Sequence, residues 1–158
     1  MKRLLKTLTA LTLAAIMCLG TVTAFASSDT VTRDYAGSCS SLMTIKNPEA
    51  VSSTTSTKTF VLSAVAVPGA IITLYKLNPV TNLYDKIYVD YAPLETTVGA
   101  SGLYAQQITL AEGMNNYMVY ATNGFDDQAI HLEIKLLSEG IIDKIKSLTI
   151  DFANSFNK

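Results

Sequence analysis

The sequence predicts an all-β domain closed by a short helix. Three observations carry this prediction. Apolar residues recur at every second position through a series of short runs, those runs are separated by Pro, Gly or Asn, and only residues 138–158 change to a helical repeat. The pattern is plainest in the stretch Gly102 to Thr122. There Tyr104, Ile108 and Leu110 share one parity before Glu112-Gly113, and Tyr117, Val119 and Ala121 share one after it, as in two half-buried strands joined by a loop.

Residues 1–26 read as an export signal and stand outside the fold. Lys2, Arg3 and Lys6 make a positive start, Leu8 to Leu19 is an apolar run, and Ala24-Phe25-Ala26 is a small-x-small cleavage site, with cleavage expected after Ala26. The alternative is a membrane anchor, but the apolar run is shorter than the roughly 20 residues that a spanning helix needs. The expected product is therefore secreted or associated with the cell envelope, with no spanning segment after cleavage. The residues before Cys18, Ala15-Ile16-Met17, do not form a lipidation signal.

The remaining 132 residues suffice for one domain with a core. They keep nine of the 12 basic residues and all 13 acidic ones, a formal charge of −4. That balance argues against a nucleic-acid partner, which would show a basic face. Cys39 alone remains after cleavage, so no internal disulfide can form; it is either an incidental residue or a thiol for an intermolecular bridge.

Residues 27–41 are small, polar and without period, and are expected to form a flexible leader. Leu42 to Lys46 is β-prone and stops at Asn47-Pro48, where proline cannot donate to a ladder, so it reads as a first edge strand. Ser52 to Thr59 is low in complexity and fits a linker or a loop. Phe60 to Val67 reads as a strand, followed by Pro68-Gly69, which suits a type II turn. Ala70 to Leu77 is apolar on both parities, as a central strand would be, and Asn78-Pro79 ends it.

Leu83 to Val89 alternates again and is expected to turn its tyrosines toward solvent. Pro93 breaks the pattern and Leu94 to Val98 adds a short edge piece. After Asn123-Gly124, Ala129 to Leu137 sends Ile130, Leu132, Ile134 and Leu136 one way and His131, Glu133 and Lys135 the other. Seven to eight short strands between residues 42 and 137 argue for an immunoglobulin-like antiparallel β-sandwich.

In the tail, residues 138–158, Ile141, Ile145, Leu148 and Phe152 form one stripe of an amphipathic C-terminal helix that Ser138 can cap. Leu148, Ile150 and Phe152 also alternate as a strand would, so residues 148–152 fit either state. A stripe this apolar ordinarily docks on its own domain; the sharper reading makes these four residues a partner-docking face.

Val61 to Tyr75 (VLSAVAVPGAIITLY), taken with Gly102 to Thr122, resembles bacterial immunoglobulin-like modules, especially those similar to the accessory β-sandwich domain of glucodextranase. The matching positions are Pro68 and Gly69, Gly102 and Tyr104, Leu110, Gly113 and Asn115, and Val119 and Ala121. The resemblance covers roughly residues 42–137 and implies a β-sandwich that serves as a spacer, an adhesive unit or an accessory domain; fold does not fix activity. Gln106 stands where that family has a small or apolar inward residue, and the helical tail lies outside the pattern.

No catalytic constellation is legible. His131, the single histidine, falls on the polar parity of a strand, whereas a Ser-His-Asp arrangement needs it beside an acid and a serine. A zinc site takes four N or S ligands and the cleaved chain offers two candidates. Asp126-Asp127 with Glu112 or Asn123 matches no calcium-loop spacing, and adjacent acids in a turn are ordinarily solvated. No enzyme activity, metal or cofactor is expected. The remaining candidates are tyrosines. Tyr75, Tyr84, Tyr88 and Tyr91 fall close together, and a sheet face bearing them suits a glycan or protein ligand. The expected function is an exported, non-catalytic binding or structural module whose partner is an envelope glycan or a secreted protein.

Overall fold

The computed structural model describes residues 27–155, and of residues 150–155 the backbone only. The expected signal segment, residues 1–26, lies outside the described residues. The chain is mostly β, with twelve strands and one helix among the described residues: β1 (Thr30–Thr32), β2 (Met43–Asn47), β3 (Ser52–Thr55), β4 (Thr59–Ala66), β5 (Ile71–Asn78), β6 (Leu83–Lys86), β7 (Tyr88–Val89), β8 (Ala92–Pro93), β9 (Glu95–Thr97), β10 (Leu103–Thr109), β11 (Gly113–Thr122), β12 (Asp127–Leu136) and α1 (Glu139–Ser155).

The larger sheet has seven strands in the order β1-β6-β5-β11-β12-β3, with β9 also on β5; the smaller has three, β10-β4-β2; β7 and β8 form a separate hairpin. Every strand pairing among the described residues is antiparallel except β3 with β12, which is parallel. The two sheets share one apolar core. The smaller contributes Leu62, Ala64, Tyr104 and Ile108, and the larger Ile72, Leu74, Val119, Leu132 and Ile134. These are the same-parity residues of their strands, and removing so much aliphatic area from water drives the association of the sheets.

Thr73, Asn115, Thr122 and Gln128 are the polar side chains buried among the described residues, and two of them tie segments together. Asn115 accepts from Ala111 N at 2.9 Å and donates to Ala111 O at 2.7 Å and to Ile134 O at 3.2 Å, fixing the loop between β10 and β11. Gln128 accepts from Met43 N at 2.8 Å and donates to Met43 O at 3.2 Å, clamping β12 of the larger sheet to β2 of the smaller. Such bonds repay the desolvation that would otherwise make a buried amide costly. The turn at Pro68-Gly69 forms as expected: Gly69 has φ +84°, and Ala70 N donates to Val67 O at 3.0 Å.

Residues 27–41 are not the flexible leader that their composition suggests. β1 pairs with β6, and the chain then reaches the start of β12, where Gly37 bridges Gln128. Ala129 N donates to Ala36 O at 2.9 Å, and Ser38 N donates to Asp127 O at 2.9 Å. The segment is held by hydrogen bonds, which leave no periodic signature in a sequence. Its path requires glycine at position 37: φ is +88°, and a Cβ there would stand 2.5 Å from Asp127 O. Ser52 to Thr55, read as part of a linker or loop, is β3.

The tail is helical through residues 148–152, which removes the strand alternative. α1 starts where the Ser138 carbonyl accepts from Ile141 N and Ile142 N at 3.0 and 3.1 Å. It does not pack its apolar stripe on the sheets: Ile141, Ile145 and Leu148 are exposed, the last at 68 %. Docking on its own domain is therefore corrected. Among the described residues no helix is long and apolar enough to cross a membrane.

Candidate binding surfaces

The four tyrosines do not share one face. Tyr75 is fully buried, and its hydroxyl donates to Ser28 O at 2.7 Å. Tyr84 is 4 % exposed and lies against the His131 ring, with centroids 5.1 Å apart. Together with Met118 and Ala129 they form a second apolar cluster, against which Val31 of β1 packs. The expectation that Tyr84 and Tyr88 face solvent together is thus overturned for Tyr84. The N-terminal segment supplies the cover that strand alternation alone cannot reveal. Burial raises the pKa of Tyr75 to about 12 and also raises that of Tyr84.

Tyr88 and Tyr91 belong to the β7–β8 hairpin, which leaves the larger sheet between β6 and β9. Its base is pinned at Leu74: Ile87 N donates to Leu74 O at 3.0 Å, and Leu74 N donates to Leu94 O at 3.2 Å. Its tip is the two-residue loop Asp90-Tyr91, with φ of 50° and 66°. Two successive positive φ values mark a type I′ turn, a position ordinarily filled by Asn-Gly. Tyrosine there costs roughly 1 kcal/mol or more against its Cβ. Its side chain nevertheless stands fully exposed, beside exposed Val89 and Tyr88. The Tyr88 hydroxyl donates to Asp29 Oδ1 at 2.7 Å; this bond, with the Lys86 ammonium 3.6 Å from the same oxygen, holds the Asp29 carboxyl below its ordinary pKa.

A cleft of about 300 Å³ lies where the N-terminal segment meets the β11–β12 loop, lined by Tyr35, Tyr120, Phe125, Asp126 and Asp127. The Tyr35 and Tyr120 rings are 6.4 Å apart, and Tyr120 meets Tyr75 edge-on at 6.3 Å. Tyr35 donates to the Asp127 carboxylate, which raises the tyrosine pKa to about 12. Burial works against the Asp127 charge, but the donors from Tyr35 and Ser38 outweigh it and hold that carboxyl below its usual range. Asp127 is thus already committed to protein donors. Tyr35, Tyr120 and Phe125 escaped the sequence reading because each stands outside a tyrosine run and none follows a strand parity toward the others.

His131 donates from Nε2 to Tyr35 O at 2.7 Å, beneath the N-terminal segment. Among the described residues no hydrogen bond joins it to an acid or a serine. Among the described residues no group of His, Cys, Asp and Glu converges as metal ligands. Cys39 is half-buried and packs against the main core. Of the docking stripe, Ile141, Ile145 and Leu148 are exposed on α1, while the side chain of Phe152 lies outside the described residues. No protein-family model matches the chain, and a search of characterised proteins found no match.

Proposed function

We propose that this chain is an exported, immunoglobulin-like β-sandwich module that binds a glycan or a protein at the cell surface or outside the cell, without catalysis. Two sheets around one core, the Pro68-Gly69 turn and the buried Asn115 support the module reading, because these resembling positions have structural tasks in this chain. The observation that carries the binding reading is the hairpin tip. A strained tyrosine held in solvent lowers stability, and such outliers persist where they serve contact. A second reading, an accessory or inhibitory domain docking on a secreted carbohydrate-active enzyme, is favoured by the bare apolar stripe of α1.

The test is a pull-down of residues 27–158 against intact envelope, isolated wall polysaccharide and culture supernatant. Retention on polysaccharide or on a surface protein is expected, together with its loss in Tyr91→Gly. That variant relieves the left-handed strain and should gain about 1 kcal/mol of stability as it loses binding. Retention unchanged in Tyr91→Gly sinks the hairpin as the contact, and no retention on any fraction sinks the binding function. Capture of a secreted enzyme that depends on residues 139–158 favours the second reading.

A further inference from the structure

One charged residue stands on the core-facing parity of a central strand. Ile72, Leu74 and Lys76 alternate along β5, and the first two lie in the main core. Lys76 is paired with Tyr117 of β11, whose side chain is also in that core, and its Nζ lies 5.8 Å from the centroid of the Tyr117 ring. An exposed lysine ordinarily just carries its charge to water along an apolar stem. Here, however, Lys76 lines a cavity of about 270 Å³ between β10 and the base of the β7–β8 hairpin. The buried Ile108 and Tyr117 form part of its lining, with the half-buried Ile87 and Leu94 and the exposed Val89. No acidic residue lines it, and neither of the two ion pairs among the described residues involves Lys76.

We infer that this cavity binds a small amphipathic carboxylate, an organic acid with a short apolar body. The body lies against Ile108, Ile87 and Leu94, and the carboxylate meets the Lys76 ammonium, the one charged group in the lining. Charge complementarity selects the anion: a cationic head would meet Lys76 with no acid to offset it. A hydroxyl-rich sugar fits poorly, because an aliphatic wall leaves its hydroxyls without partners. The walls are set before any ligand arrives, since Ile87 N donates to Leu74 O at 3.0 Å and Leu94 N donates to Ile87 O at 2.7 Å. A volume near the lower end of the roughly 300–1,000 Å³ of small-molecule sites limits the body to a short chain or a single ring. The site lies at the base of the hairpin and does not depend on Tyr91 at its tip.

The experiment is an NMR titration of residues 27–158 with hexanoate, hexanamide and hexylammonium, three probes that share a chain and differ in the head group. Saturable binding of hexanoate at about millimolar concentration or below is expected, with amide shifts centred on Lys76, Ile87, Leu94 and Ile108. Hexanamide should bind about three- to tenfold more weakly, and hexylammonium more weakly still. Lys76→Gln should bring hexanoate down to the level of hexanamide and leave hexanamide unchanged. Val89→Glu, which sets a carboxylate at the cavity, should weaken hexanoate more than hexanamide; thermal melting checks that both variants fold. Tyr91→Gly should leave hexanoate binding within about twofold, which separates this site from the hairpin-tip contact. No saturable shift with hexanoate overturns the inference. So does equal affinity for the three probes, which would be unselective apolar adsorption, and so does a loss in Tyr91→Gly as large as in Lys76→Gln, which would place the contact at the tip.

Discussion

The two ends of the described chain behave in opposite ways. Residues 27–41 are polar and aperiodic, yet they bond to strands β6 and β12 and help to cover Tyr75 and Tyr84. Residues 139–155 carry the apolar repeat that ordinarily marks docking, yet their stripe lies exposed. Periodicity reports what a segment can bury, whereas attachment depends on whether specific donors and acceptors find partners.

Deletion of each end in turn should therefore have unequal effects. Loss of residues 27–41 uncovers aromatic surface and unpairs the edge of β6, and should lower the thermal midpoint by on the order of 10 °C. Loss of residues 139–158 should move it by no more than about 2 °C at low protein concentration. Equal shifts would mean that the helix is docked after all.

A pair of glycines makes the same contrast at smaller scale. Gly37→Ala forces a Cβ against Asp127 and Gln128 at positive φ and should cost about 2–4 kcal/mol by denaturant melting. Gly140→Ala, with nothing within 4 Å of the added carbon, should instead firm the helix start by a few tenths of a kcal/mol.

The smallest effect is one of pH. Asp29 and Asp127 both have folded pKa values below their unfolded ones. The stability that they contribute is fully present above the unfolded value near 4 and is lost as pH falls through the folded values. Amide protection of residues 29–38, relative to the intrinsic exchange rate at each pH, should therefore fall below about pH 4, while protection in β11 is unchanged. An equal fall in both would place these carboxylates outside the attachment of the segment.

Much of the framework was legible because one buried parity per strand leaves a repeat. β4, β5, β10, β11 and β12 lie close to where alternation puts them, and the buried Val119 and Ile134 were on the inward parity. β1 and β3 were not legible: Ser52–Thr55 is a polar edge strand, and Thr30–Thr32 offers a single apolar residue, Val31, too little for a repeat. The continuous alternation from Leu83 to Val89 hid a break, because β6 ends at Lys86 and a new hairpin opens at Tyr88. The candidate surfaces were half legible. Tyr91 and the α1 stripe were named from sequence, whereas Tyr75 and Tyr84 were misplaced because their cover comes from a segment distant in the chain.

That distance has a consequence in time. A chain is made from its N-terminus, but Tyr35 has its partner Asp127 92 residues later, and the Ser28 carbonyl accepts from Tyr75, 47 residues later. At roughly 5–20 residues per second, the first segment waits about 5–20 s before its seat exists. Its low apolar content lets it remain soluble over that interval, so the same composition that disguised it as a leader keeps an early, unpaired stretch from aggregating while the rest of the domain is completed.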